Sequence, residues 1–142
     1  MAHENGTGVS QVVRTDELAA AEARARLAHE APPALEPDRA VAPLLKPAER
    51  LLALRRGAHL DRRQLPRGSG CGVPCDLYLT TARLILLGQV VLSYDLPELS
   101  EVALSGERLL VLTCDGRSVS LDVEQPRLLR VEVAAARSAA AT

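Results

Sequence analysis

The residues with the plainest chemistry in this chain are its arginines. Sixteen of the seventeen basic side chains are Arg, with Lys46 the single exception. Six of them (Arg50, Arg55, Arg56, Arg62, Arg63 and Arg67) fall between residues 48 and 68 against only Glu49 and Asp61, a local surplus of four positive charges. A guanidinium presents a planar fork of donors to phosphate or carboxylate oxygens, and a basic cluster beside an anionic bilayer adds about 1 kcal/mol per charge. Arg55, Arg56, Arg62, Arg63 and Arg67 are therefore the candidate anion- or lipid-binding residues, on a loop spanning 55–67. The whole chain offers no matching field, because 17 basic residues face 18 acidic ones for a net charge of −1. Nucleic-acid binding is not expected, since neither a basic total charge nor a basic recognition helix is present. Tyr78 and Tyr94 are also the only aromatic residues, too few for base stacking.

Other constellations are weaker. Cys71 and Cys75, four apart, could form half of a metal site with Cys114 and His59, but structural zinc favours four N/S ligands with paired cysteines, and one pair plus two single residues is a weak match. The same pair admits a reversible thiol switch. The run Gly68-Ser-Gly-Cys-Gly72 lacks a following Lys-Ser/Thr, and Pro74 blocks the helix whose start would hold a phosphate. His3 and His29 lie in the amino-terminal stretch and His59 in the basic loop, which leaves no histidine to act as a base beside a core serine. The carboxylates Asp95, Glu98, Glu101 and Glu107 are scattered. The expectation is a protein without catalytic activity, cofactor or metal.

The elements that must position these groups divide near residue 47. Residues 1–47 read as an extension, with a marginal helix over 15–30 and a proline-rich, semi-extended linker over 31–47. In the helix Thr15 is a possible cap, and Leu18 and Leu27 are the large apolar residues. Such a helix holds poorly alone in water. It reads as a solvated tail, with a docking helix for a partner as the alternative. From residue 48 the pattern becomes short apolar runs between turn residues: Leu51 to Arg56, Asp76 to Thr81, Arg83 to Leu87, Val90 to Leu96 and Glu101 to Ser105. In the fourth, Val90, Leu92, Tyr94 and Leu96 share one face, the period of a half-buried strand.

A hairpin follows in ERLLVLTCDGRSVSLDV. Asp115-Gly116 is a two-residue turn signal that sets Leu112 across from Val119 and Leu110 across from Leu121. It leaves Leu109 and Val111 on the outer face as a candidate interaction surface. Pro126 then opens a helix with Leu128, Leu129, Val131, Val133, Ala135 and Ala136 on one broad side. Glu132 is the exception within that apolar arc and calls for an Arg partner. The amino terminus has no basic region leading into an apolar one. The most apolar window, Leu84 to Leu92, falls well short of the roughly 20 residues a membrane helix requires. A cytoplasmic protein without a transmembrane segment is the expectation.

Local phrases carry a resemblance. The run DLYLTTARLILLG, Asp76 to Gly88, is similar to the G-x-L-x-L-T-x-x-R-L hairpin of GRAM and bacterial pleckstrin-homology-like domains, and LPELSEV, Leu96 to Val102, resembles their I/L-P-x-x-I-x-x-V segment. Cys75 departs from the pattern, standing where the family usually has Gly. The likeness covers residues 48–140. It implies a mainly β fold: a barrel of about seven antiparallel strands in two orthogonal sheets, capped by one carboxy-terminal helix. It also implies a binding module, either a protein-interaction or scaffold domain with a protein partner or self-association, or a peripheral module on an anionic membrane surface at the inner face of the membrane. In the lipid-binding members, bases at the end of the first strand and the start of the second hold the phosphates. Arg55 matches the former, while Cys75-Asp76-Leu77-Tyr78 supplies no base for the latter.

Overall fold

The computed structural model describes residues 3–61 and 72–141, with side chains from residue 11 onward. It is mainly β. Seven antiparallel strands, β1 (Leu51–Leu60), β2 (Val73–Thr80), β3 (Arg83–Gly88), β4 (Val91–Asp95), β5 (Leu99–Ser105), β6 (Arg108–Thr113) and β7 (Ser118–Asp122), lie between helix α1 (His3–Leu27) and helix α2 (Pro126–Ala140). They form one sheet in the order β4-β3-β2-β1-β7-β6-β5. The two separate sheets of the expectation are thus continuous through β1 and β7, which pair at His59–Asp122 and Leu60–Leu121, with Asp61 N–H donating to Ser120 O at 3.0 Å. The barrel is not closed, because β4 and β5 are the two ends of the sheet.

The sheet curls around a shared interior. Leu77 and Leu79 of β2, Leu84 and Leu86 of β3, Leu109 and Val111 of β6 and Val119 and Leu121 of β7 belong to one buried cluster. Leu129, Val133 and Ala136 of α2 complete it. With no Phe or Trp, leucines and valines do most of this filling, joined by Tyr94, Cys75 and three alanines. The curl is helped by a bulge in β1 between Arg55 and Ala58, where an extra residue increases strand twist. Gly57 takes φ +72 there, and its displaced N–H donates to Asp76 Oδ1 at 3.2 Å.

The β6–β7 hairpin corrects the turn expectation. Leu109 pairs with Leu121 and Val111 with Val119, one residue out of step with a two-residue Asp115-Gly116 turn. The loop has three residues: Gly116 N–H donates to Thr113 O at 3.1 Å, and Gly116 takes φ +89. This is a type I turn followed by a left-handed glycine bulge. Local side chains select it, since Thr113 Oγ1 donates to Asp115 Oδ1 and Asp115 Oδ1 accepts from Arg117 N–H. The shift turns Leu109 and Val111 inward, both 0% exposed, and leaves Leu110 and Leu112 outside. A one-residue slip moves every side chain to the opposite face.

The amino-terminal third is tied to this body. Helix α1 begins twelve residues earlier than expected, and Thr15 sits inside it, donating back to Gln11 O at 2.8 Å rather than capping. Ala20 and Ala23 pack on Val131 of α2, with Leu27 and Leu128 beside them. The first turn of α2 has no cap of its own, because Gln125 is left-handed at φ 49. Asp16 supplies one from α1: its carboxylate accepts from Arg127 N–H at 2.9 Å and Leu128 N–H at 3.1 Å. A carboxylate at a helix start satisfies orphan donors and the positive end of the dipole.

Residues 31–50 form a strap rather than a loose linker. Leu35 bridges to Leu51, and Val41 is fully buried with Leu51, Tyr78 and Ile85 on the outer face of β1–β3. Within the strap a turn at Asp38 leads into one 3-10 turn, Ala42–Leu44, which contains Pro43.

Candidate functional site

Two polar clusters hold the strap, and the first absorbs part of the arginine site. Asp38 Oδ2 accepts from Tyr78 Oη at 2.7 Å and from Arg56 Nη2 at 2.9 Å. Asp38 Oδ1 accepts from the N–H groups of Ala40 and Val41, closing the turn that follows. The Tyr78 hydrogen bond, then the Val41 N–H, hold the Asp38 carboxyl below the usual carboxylate range. Burial, reinforced by the Asp38 carboxylate, pushes the Tyr78 hydroxyl up to about 12. Arg56 also reaches Asp76 at 3.3 Å, although its side chain is 60% exposed.

The second cluster centres on Glu49. Its carboxylate receives Arg83 Nε at 2.9 Å and Arg83 Nη2 at 3.0 Å as a fork, Thr80 Oγ1 at 2.5 Å and Lys46 N–H at 3.1 Å. Burial alone would raise its pKa, but these donors outweigh burial and hold it at about 2. Such forked pairing is stronger than a neutral hydrogen bond.

The adjacent Arg55 points to the opposite side of β1. Its Nη2 meets Glu132 Oε1 at 2.7 Å, Nε donates to Glu124 O at 3.1 Å and Nη1 to Leu54 O at 3.2 Å. All three guanidinium nitrogens are engaged and the side chain is only 10% exposed. Arg55 fastens α2 to the sheet, and Glu132, the misfit on the helical wheel, is its counter-charge. The two described members of the arginine set therefore lie on opposite faces of β1, each neutralised by an acid that comes from elsewhere in the chain. Arg62, Arg63 and Arg67 lie outside the described residues, as does Cys71. Among the described residues no three His, Cys, Asp or Glu side chains gather where they could hold a metal. Cys75 is buried, and burial, then Asp76, pushes its thiol up; Cys114 is exposed. No described helix is long and apolar enough to cross a membrane.

The hairpin correction produces a different candidate. On the outer face of β5–β7, Leu110 stands between Ala103 and Ser120, and Leu112 between Glu101 and Ser118. Neither leucine belongs to any buried cluster, and both are partly exposed. The alternation of β6 carried this signal at the sequence level, but the assumed turn length assigned it to Leu109 and Val111.

No family model matches the chain, and no curated protein does. Among solved structures it is similar to the C-terminal domain of an unknown protein from Leishmania infantum. That likeness has a TM-score of 0.42 at 16% identity, covering 51% of this chain and 69% of the other.

Proposed function

We propose that the chain is a non-catalytic, cytoplasmic binding module of the pleckstrin-homology-like or GRAM kind that works by protein–protein interaction through the outer face of β5–β7. The strand order, the continuous core and the helix packed into it support the domain likeness. The observation that carries the interaction reading is the pair Leu110 and Leu112. These aliphatic side chains sit beside Ala103, Ser118 and Ser120, with Glu101 opposite Leu112 and the Arg108–Asp122 pair beyond Leu110, an apolar centre with a charged rim of the kind found at contact sites. The membrane reading draws less support, because Arg55 and Arg56 already hold Glu132, Asp38 and Asp76.

A photo-crosslinking side chain placed at Leu110 or Leu112, compared with one at Leu44 on the strap, tests the proposal in cells. Specific adducts from the β6 positions, absent from Leu44 and lost when the neighbouring leucine becomes Glu, are the expected result. Adducts of equal pattern from all three positions, or none from β6, overturn it. Salt-sensitive pelleting with phosphatidylserine vesicles that persists in the Leu110→Glu variant would give the role to the membrane surface instead.

A further inference from the structure

The tip of the β6–β7 hairpin carries the chain's one Asp-Gly pair, Asp115-Gly116. This dipeptide has covalent chemistry of its own. The glycine amide nitrogen, unhindered by a side chain, can attack the aspartyl Cγ, expel water and close a five-membered succinimide. Water then opens the ring at either carbonyl. One opening restores aspartate. The other leaves isoaspartate, in which the main chain runs through the former side chain and is one carbon longer. The atoms balance with water as the only co-reactant, and both residues are exposed to solvent.

The folded loop withholds each atom that ring closure needs. Gly116 N–H, the nucleophile, donates to Thr113 O at 3.1 Å. On the other partner, Asp115 Oδ1 accepts from Thr113 Oγ1 and from Arg117 N–H at 3.3 Å, while Oδ2 accepts from Arg117 Nε at 2.8 Å. The Thr113 hydroxyl, then Arg117 N–H, hold the Asp115 carboxyl below the usual carboxylate range, and an ionised carboxylate has no water to expel. The backbone adds a third restraint. Asp115 occupies the position of a type I turn where ψ is about 0°, so Gly116 N must swing toward Cβ before the ring can form, and that swing breaks its bond to Thr113 O. Thr113 is itself fixed in place: it is 5% exposed, its N–H donates to Arg117 O at 2.9 Å, and its hydroxyl accepts from Arg117 N–H at 3.1 Å.

We propose that Asp115-Gly116 is a latent isoaspartate-forming site and that Thr113 is the positioning residue that locks it, so that the rearrangement runs only when the loop opens. The same loop sets the β6–β7 register, so a chain that has isomerised loses its order there first.

Incubating native wild type beside urea-unfolded wild type at neutral pH tests this, with peptide mapping to detect the isoaspartyl peptide by its unchanged mass and shifted retention. The native chain forms it at least about tenfold more slowly, the size expected for one hydrogen bond to a charged group. Thr113→Val keeps the shape of the side chain and loses the hydroxyl. It raises the native rate about tenfold with an unchanged circular-dichroism spectrum, whereas Thr113→Ser stays as slow as wild type. Arg117→Ala frees Oδ2 at the surface, raises the rate about twofold and decides the matter where Thr113→Val does not fold. Asp16→Ala loosens the start of α2 and leaves the rate unchanged. A native wild type as fast as the unfolded chain overturns the proposal, as does a folded Thr113→Val variant no faster than wild type. Equal acceleration by Asp16→Ala and Thr113→Val also overturns it, because the rearrangement would then follow global unfolding rather than the loop.

Discussion

On the outer face of β1–β3, Leu51, Tyr78 and Ile85 lie sealed beneath residues 31–50, whereas on the outer face of β5–β7, Leu110 and Leu112 stay partly exposed beside Ala103, Glu101 and two serines. The two faces belong to one sheet and carry similar aliphatic content. What separates them is a short segment with the right acids, Asp38 and Glu49, aimed at Tyr78, Arg56, Thr80 and Arg83. Among the described residues, the chain covers the first face with its own strap and leaves Leu110 and Leu112 on the second only partly buried. Outward hydrophobicity is structural where the chain supplies its own cover and available for recognition where it does not.

The largest test of this contrast is truncation on both faces. Tyr78→Ala should lower stability by about 4 kcal/mol, measured by chemical denaturation, and Leu110→Ala by less than about 1 kcal/mol. Equal losses would show that something also covers the β6 face and would break the comparison.

Next comes the arginine assignment. Arg55→Ala leaves Glu132 of α2 without its counter-charge against the sheet and should cost about 3 kcal/mol, with no change in the Leu110 crosslinks. A stable Arg55→Ala protein that has lost its crosslinks would place Arg55 at the contact surface instead.

The covered face should also be the acid-sensitive one. Glu49 titrates at about 2 folded against 4.5 ordinarily, so its contribution is complete above pH 4.5 and is lost as pH falls toward 2. A shift of this size is worth about 3 kcal/mol at most. Part of that is offset by residual order in the acid-unfolded chain, so the expected loss is nearer ~2 kcal/mol. Denaturation series between pH 5 and about 2.5 should show the slope, and Glu49→Gln should flatten it. A slope unchanged in that variant would move the acid sensitivity to another carboxylate.

Smallest is the helix cap. Asp16→Ala removes the acceptor at the start of α2 and should cost about 1–2 kcal/mol, and hydrogen exchange should rise at the Arg127 and Leu128 amides. Unchanged exchange there would mean that α2 is held by its buried face alone.

Much of the body was legible in the sequence, because apolar alternation at Leu77, Leu79, Leu92 and Tyr94 is a local signal that a pleated strand must obey. The misread hairpin had an equally local cause. Asp-Gly fits two turn lengths, and the choice is made by Thr113 and Asp115 hydrogen-bonding within the loop, which hydrophobic pattern does not encode. Glu132 announced its need for a cation, yet Arg55 lies 77 positions away. Asp38 and Asp16 gave no hint, since an acid in a polar stretch looks solvated until its distant donors are folded against it.

The bond from Asp16 to the amide of Arg127 joins positions 111 residues apart. During translation at roughly 5–20 residues per second, the first helix leaves the ribosome on the order of 10 s before its mate exists. A strongly greasy segment would spend that interval seeking wrong company or a chaperone. An alanine-rich helix with few large apolar groups can wait harmlessly, and its sparse hydrophobicity suits a piece that is made first and fastened last.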